Sequence, residues 1–300
     1  MPSRIEWLAG GETWNPLVGC SPVSAGCDHC YAARMAARHL SPSWQDDDGD
    51  WLALHGRCGP RWTGRVRLLP ERLSQPLHWR QPRRIFVSSM GDLFHPGVTD
   101  EYIAAVYGVM AACPQHEFIV LTKRPKRALK WYRWVNRVAA PWALCRAYML
   151  HYVVPPRDDY GPQTATPWPL PHVTLGVSVE DQPTAYQRLP LLLQIPAARH
   201  IVSVEPMLGP VDLPLRCRGC GYTPRDRAEL MDHRLCTSPD PPISAVICGA
   251  ETGPGARPMD LTWARSLRDQ CAEASIPFFF TRDSTGSREM DGRRWEEWAR

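Results

Sequence analysis

The sequence has no apolar run near the roughly 18 residues that a membrane helix needs. Its first residues include Glu6 and Glu12 and lack the apolar core of a secretory signal. A strong charge of either sign is also missing, since 35 Lys and Arg stand against 31 Asp and Glu. The balance does not indicate a nucleic-acid partner by itself, nor does it exclude one. These absences predict a cytoplasmic protein with no membrane partner, and they leave nucleic acid and a partner protein open.

The composition is that of a folded domain. The 300 residues are 44% hydrophobic and 22% charged, which is ordinary for a globular protein. A chain of this length fits one large α/β domain, so residues 1–300 are predicted to form a single unit. The odd total of 11 cysteines is a poor disulfide framework. Six of them fall into two tight groups, and such groups in a reducing compartment indicate metal binding.

Short apolar runs predict buried parallel strands. They lack alternation, which suits strands covered on both faces, and they are Arg84–Met90, Phe118–Lys123, Val173–Val179, His200–Glu205, Ala245–Gly249 and Pro277–Thr281. Helical patterns lie between some of them, at Asp100–Cys113 and Thr262–Ala274. The alternation predicts a (β/α) barrel or partial barrel of mainly parallel strands. Residues 41–65 and 137–172 are rich in turn formers and are predicted to be loop insertions.

Polar residues follow five of these strands. Ligands of parallel α/β folds sit at the carboxyl ends of the strands, so the polar strand ends predict one shared site. The alternative is that they only begin solvent loops. The residues concerned are Ser88, Ser89, Asp92, His95, Lys123, Arg124, Ser178, Glu180, Glu205, Glu251 and Arg257.

The first cysteine group has the pattern C-x6-C-x2-C, formed by Cys20, Cys27 and Cys30. We call Cys20–Cys30 the three-cysteine loop. Three thiolates can bind three irons of a 4Fe–4S cluster and leave one iron open, or they can bind a zinc ion with an open position. A structural zinc completed by a distant residue and three unliganded thiols are the alternatives. A good helix former follows Cys30, and its N-terminus would stabilise negative charge.

The stretch TWNPLVGCSPVSAGCDHCYAARMA resembles the start of the phage Gp37/Gp68 family, a domain of unknown function. Similar motifs recur along nearly the whole chain, at Phe86–His95, Leu121–Pro125, Leu175–Gln182, Ser203–Pro210, Cys248–Met259 and Pro277–Phe280. The layout is similar to that of radical S-adenosylmethionine enzymes, whose common spacing is C-x3-C-x2-C. The x6 interval departs from that spacing. The chain also departs from the family that it resembles after Phe280, where Thr281 stands in place of a lysine.

The resemblance to radical enzymes implies a 4Fe–4S cluster and S-adenosylmethionine as cofactors. The residues that it suggests for holding S-adenosylmethionine are Ser88, Ser89, Asp92, Ser178, Glu180, Glu205 and Glu251. Lys123, Arg124 and Arg257 are the candidates for binding an anionic substrate, such as a phosphate compound or a nucleic acid. His95 and Lys123 are the candidate catalytic groups. Ordinary salt bridges and a satisfied core histidine are the alternatives.

The second cysteine group predicts an inserted zinc finger at residues 215–238. Its pattern is C-x2-C-x12-H-x2-C, with the ligands Cys217, Cys220, His233 and Cys236. The finger carries several arginines and favours a second function, that of a non-catalytic metal-binding module for nucleic acid. A zinc hydrolase with an open three-cysteine site is a third function, which electron-rich thiolate zinc disfavours.

Overall fold

The computed structural model describes residues 5–38, 44–56, 59–154, 166–213, 215 and 243–298. These residues cluster into two compact units. The first unit comprises residues 1–175 and 195–198, and the second comprises residues 176–194 and 199–300. The predicted finger with Cys217, Cys220, His233 and Cys236 lies outside the described residues, as does most of the predicted insertion at 215–238.

The described part of the first unit contains four parallel-sheet strands and four α-helices. Its elements are β1 (Glu12–Trp14), β2 (Leu17–Val18), α1 (Tyr31–Arg38), β3 (Ala53–Gly56), β4 (Gly59–Trp62), β5 (Arg67–Leu68), β6 (Arg84–Val87), α2 (Asp100–Ala111), β7 (Glu117–Thr122), α3 (Pro125–Val135), α4 (Pro141–Tyr152) and the start of β8 (Val173–Ser178). The sheet order is β1–β6–β7–β8. β1 pairs with β6 and β6 with β7 in parallel, which brings the carboxyl ends of these strands to one edge.

The second unit continues from the end of β8. Its elements are α5 (Gln182–Leu192), β9 (Arg199–Val204), β10 (Ala245–Cys248), α6 (Leu261–Ala274), β11 (Phe278–Phe280), β12 (Glu289–Met290) and β13 (Arg293–Arg294). The sheet order is β8–β9–β10–β11, with parallel pairing from β9 to β11. A capping box of Asp181 and Thr184 starts α5. The short antiparallel hairpin β12–β13 follows the sheet.

The strand pattern confirms the α/β class with parallel strands. All six predicted strands are present. Five agree with their predicted bounds within one residue, whereas β6 ends at Val87, three residues before the predicted end at Met90, and β1 is an additional strand of the sheet. The strand order runs from β1 to β11, so the strands that the structure describes do not close a barrel. None of the described helices is long and apolar enough to cross a membrane.

Helix α4 differs from the sequence prediction. Residues 137–172 were expected to be a loop insertion, yet Pro141–Tyr152 form a helix. This helix packs against the almost completely buried α2. The contact is close because Gly108 of α2 has no Cβ, and a Cβ there would collide with the carbonyl oxygen of Cys145. Likewise, the predicted loop 41–65 contains the hairpin β3–β4.

Candidate metal and substrate site

The three-cysteine loop is anchored at both ends to the chain that follows β6. At its start, the Gly19 N–H donates to the Met90 carbonyl oxygen at 3.0 Å. At its end, the Tyr31 hydroxyl donates to the Ser89 carbonyl oxygen at 2.7 Å. Gly91 forms an isolated parallel bridge with Gly19, and a Cβ on Gly91 would crowd the backbone there. The fold therefore holds the loop at the carboxyl end of β6.

The chain after β7 holds the loop from a second side. The Arg124 guanidinium donates through Nη2 to the carbonyl oxygen of Ser21 at 2.8 Å and to its Oγ at 2.6 Å. The His95 Nε2 lies 2.9 Å from the same Oγ. Because the Gly97 N–H donates to His95 Nδ1 at 3.1 Å, the neutral ring carries its proton on Nε2 and donates it to Ser21.

These contacts assign His95 a structural role in positioning Ser21. Burial, followed by the charge of Arg124, lowers the pKa of His95 to about 4, so the ring is neutral near pH 7. Its one N–H is used on Ser21. The predicted catalytic role of His95 as a proton donor thus competes with a positioning role. Both lone pairs of the Ser21 hydroxyl accept hydrogen bonds, which leaves its own proton to be donated elsewhere.

The three thiols of the loop are free of disulfides. Burial raises the pKa of Cys20 to about 12, with smaller effects of the same sign from Asp92, Cys27 and Cys30 and an opposing effect from Arg124. Cys20 is therefore a neutral thiol unless a cation compensates its charge. Cys20 and Cys30 also pack against an apolar cluster that includes the alanines of α1, which begins directly after Cys30.

No group of three or more His, Cys, Asp or Glu side chains within the described ranges is arranged to hold a single metal ion. This applies to Cys20, Cys27 and Cys30 as they stand. A cluster is less demanding than a single ion, because each thiolate binds an iron of its own. The chemistry of the donor set, three free thiols on one short loop, is compatible with an iron–sulfur cluster or with a zinc ion that keeps an open position.

Asp92 is buried, and its carboxylate accepts hydrogen bonds from three groups. The Thr122 hydroxyl donates to both carboxylate oxygens at 2.8 and 3.0 Å, and the N–H groups of Phe94 and Lys123 donate at 2.9 and 3.1 Å. Burial raises the pKa of Asp92 above its usual value, and these hydrogen bonds oppose the shift. The carboxylate thus ties the ends of β6 and β7 together, a structural task beside its predicted cofactor contact.

Two polar atoms of this site have no hydrogen-bond partner in the part of the chain that the structure describes. They are the buried Ser88 Oγ and the Arg124 Nε. Ser88 also has a φ of 62°, a left-handed conformation that is costly for a residue with a Cβ. Buried donors without partners are rare in folded proteins. Both residues were predicted from the sequence as ligand-binding groups.

The predicted residues of the second unit are engaged in pairs. The buried Glu180 accepts from Arg188 Nη1 through both oxygens at 3.1 Å, and the same Nη1 donates to the carbonyl oxygen of Ser178 at 2.6 Å. Glu205 accepts from the Thr281 hydroxyl at 2.8 Å. Thr281 stands where the resembling family has a lysine, and here it serves that carboxylate.

The last predicted pair of the second unit is Glu251 with Arg257. The Arg257 guanidinium donates to Glu251 through Nη2 at 2.6 Å and Nε at 3.0 Å, and its backbone N–H adds a bond at 2.8 Å. This is the ordinary salt bridge that the sequence left as the alternative for Arg257. Its anion-binding role remains a prediction.

Three residues with defined contacts here were not predicted from the sequence, namely Asn15, Ser21 and Arg188. The Asn15 Oδ1 accepts from the Ser89 hydroxyl at 3.2 Å and from the Met90 N–H at 2.8 Å, which orders the end of β6. Asn15 and Ser21 stand on either side of Cys20 in the motif WNPLVGCS, and that position was the available signal. Arg188 carried none, because a helical arginine is usually exposed.

The comparison with known protein families shows a match to one family model. No curated protein and no solved structure matches the chain. The family model, described as a protein of unknown function (DUF5131), matches residues 2–298. This match covers nearly the whole chain. The chain therefore belongs to the DUF5131 family of proteins of unknown function.

Proposed function

We propose that the protein is an iron–sulfur enzyme whose 4Fe–4S cluster is held by Cys20, Cys27 and Cys30 and which acts on an anionic substrate. The observation that carries the proposal is the anchoring of three reduced thiols at the carboxyl ends of β6 and β7. Parallel α/β folds place their ligand sites at this edge. The phage Gp37/Gp68 assignment and the likeness to radical S-adenosylmethionine enzymes are part of the same proposal.

The raised pKa of Cys20 argues against a free thiolate at the loop. A thiol whose pKa is about 12 is not a nucleophile near pH 7, so catalysis by free Cys20 is disfavoured. A metal centre converts such a thiol to a thiolate outright. The Ser21 peptide, fixed by Arg124 and His95, holds the chain beside this ligand in one conformation.

When bound, a 4Fe–4S cluster with an open iron supplies an electron for reductive cleavage of S-adenosylmethionine, and the chain supplies position and charge. The Arg124 guanidinium lies beside the loop, and Ser88 has a buried hydroxyl. Neither the Arg124 Nε nor the Ser88 Oγ has a hydrogen-bond partner among the residues that the structure describes. These groups suit an anionic oxygen of a cofactor or substrate. Asp92 keeps the two strand ends in register through Thr122.

The finger with Cys217, Cys220, His233 and Cys236 is proposed to hold one structural zinc ion, on its spacing alone. A cytoplasmic location is also proposed, because all the described cysteines are free thiols, as a reducing compartment favours. Ser178, Glu180, Glu205 and Glu251 remain proposed cofactor contacts, although each also serves a partner inside the second unit.

The test is metal analysis after purification without oxygen. We expect a brown protein with about four irons and four sulfides per chain and zinc at the finger. Cys27→Ala should lose the iron, whereas Cys113→Ala, which removes a buried thiol outside the loop, should keep it. Cleavage of S-adenosylmethionine by the reduced protein is the next measurement. A colourless protein with zinc and no iron would overturn the proposal and favour the non-catalytic binding module.

A further inference from the structure

The lysines of the chain are concentrated at one place. Of the 35 Lys and Arg residues, only Lys123, Lys126 and Lys130 are lysine, and all three lie within eight consecutive residues. No Asp or Glu occurs from Lys123 to Val154. This stretch begins directly after β7 and contains the helices α3 and α4. In a chain whose overall charge is nearly balanced, it is a separate basic region.

Helix α3 displays this charge as a stripe. Lys126, Lys130, Arg133 and Arg137 are exposed and follow one another at helical spacing of four, three and four residues. Residues at this spacing share one face of a helix. We call these four residues the α3 basic face. Arg137 lies just beyond the last residue of α3, where the chain still turns.

Three of the four residues of this face have no acidic partner among the described residues. Asp100 at the start of α2 pairs with Arg127 at 2.7 Å, and Arg127 lies outside the face. Within the described residues, Lys126, Lys130 and Arg137 form no ion pair with an acidic side chain. Like charges one turn apart on a helix cost a few tenths of a kcal/mol per pair. This repulsion lowers the stability of α3 slightly. A polyanion bound along the face would relieve it.

The dimensions of the face fit a chain of phosphates. Eleven residues of helix rise about 17 Å, and one strand of nucleic acid in a duplex places about five phosphates along that length. The N-terminal end of α3 joins Lys123 and Arg124, the substrate-binding candidates beside the three-cysteine loop. Trp134 lies between Arg133 and Arg137 in the chain and is partly exposed. Its ring centroid lies 6.2 Å from that of Tyr148, and the exposed part of the indole is an aromatic surface on which a base can stack.

We propose that the α3 basic face binds the phosphate backbone of a nucleic acid, which is thereby led to Arg124 at the candidate site. The inference deepens the proposed function by naming nucleic acid as the substrate class, and it rests on that function only for what happens at Arg124. Binding along α3 is a property of the helix itself and is measured without the cluster.

The first test is binding of a fluorescein-labelled single-stranded oligonucleotide, followed by anisotropy over a series of salt concentrations. Lys126→Glu/Lys130→Glu should weaken binding roughly tenfold or more and reduce the salt slope by about two. The control is Arg80→Glu/Arg294→Glu, which changes the net charge equally elsewhere on the surface and should leave binding within about twofold. The test variant should fold, because a glutamate at either position would relieve repulsion among the basic residues of the face.

The second test uses the rarity of lysine. An amine-reactive acylating reagent can modify only Lys123, Lys126, Lys130 and the chain N-terminus, and mass spectrometry resolves them. The oligonucleotide should protect Lys126 and Lys130 severalfold. Equal acylation with and without the oligonucleotide would overturn the proposal, as would protection by an acidic peptide alone. Cys27→Ala should bind the oligonucleotide as the wild type does, so the loss of iron and the loss of nucleic-acid binding are separate outcomes.

Discussion

The strand ends of the two units carry similar residues but use them differently. In the second unit, Glu180 and Glu251 each pair with an arginine of the same unit. In the first unit, the Ser88 hydroxyl and the Arg124 Nε are buried with no partner in the described part of the chain. A polar residue after a strand is thus weak evidence for a binding site until its partners are known. Unsatisfied buried groups are the stronger signal.

The largest effect that tests this contrast between the two units is expected for Arg188→Ala in the second unit. The substitution leaves the Glu180 carboxylate buried without its arginine, and we expect the free energy of unfolding to fall by about 3–5 kcal/mol. Urea unfolding monitored by circular dichroism measures the change. Arg124→Ala is the comparison from the first unit and should cost roughly 1 kcal/mol, since it removes hydrogen bonds to the partly exposed Ser21. Equal losses in the two variants would remove the distinction between the units.

A smaller effect is expected from His95 as the pH falls. Its folded-state pKa of about 4 lies below the ordinary value of 6.5, so the unfolded chain binds the proton first. The stability that this group contributes is present above pH 6.5 and is lost as the pH falls towards 4. Between about pH 7 and pH 5 the wild type should lose roughly 2 kcal/mol more than His95→Gln. Urea titrations at the two pH values give the difference, and parallel losses would show that the ring is solvated or charged in the folded protein.

The smallest effect is expected at Ser88 in the first unit. Its backbone has a positive φ, and its buried hydroxyl has no hydrogen-bond partner among the described residues. Ser88→Gly removes the backbone strain and the hydroxyl, and we expect the protein to become more stable by about 1 kcal/mol. Ser275→Gly is the matched control, since Ser275 has a φ of 57° but is exposed at the end of α6. Its stability should change by only a few tenths of a kcal/mol, as the lost strain is offset by the flexibility of glycine. Thermal unfolding measures both. Destabilisation by Ser88→Gly would mean that the hydroxyl has a structural partner, and the contrast between the units would fail there.

The apolar strands were predictable because their residues are buried on both faces, and burial of this kind leaves a mark in the sequence. Phe118–Thr122 and Ala245–Cys248 are continuous apolar β-formers and were found. The strand β1 was missed, since its three residues, Glu12–Trp14, are too few to show a pattern. Helix α4 was missed because its apolar residues face several sides and its partner, Gly108 of α2, lies more than 30 residues away.

The sequence by itself determined the parallel α/β class and the cysteine spacing, because each depends on residues that are close together in the chain. The match to the DUF5131 family, over residues 2–298, also follows from the sequence alone. Only the tertiary structure decided which polar groups are satisfied. Whether Glu180 is paired and Ser88 is not, among the described residues, depends on partners brought together by folding, and hydrogen bonds reach only about 3 Å. The same holds for Ser21, which gains its role from His95 and Arg124, residues more than 70 positions away that arrive at one edge of a parallel sheet.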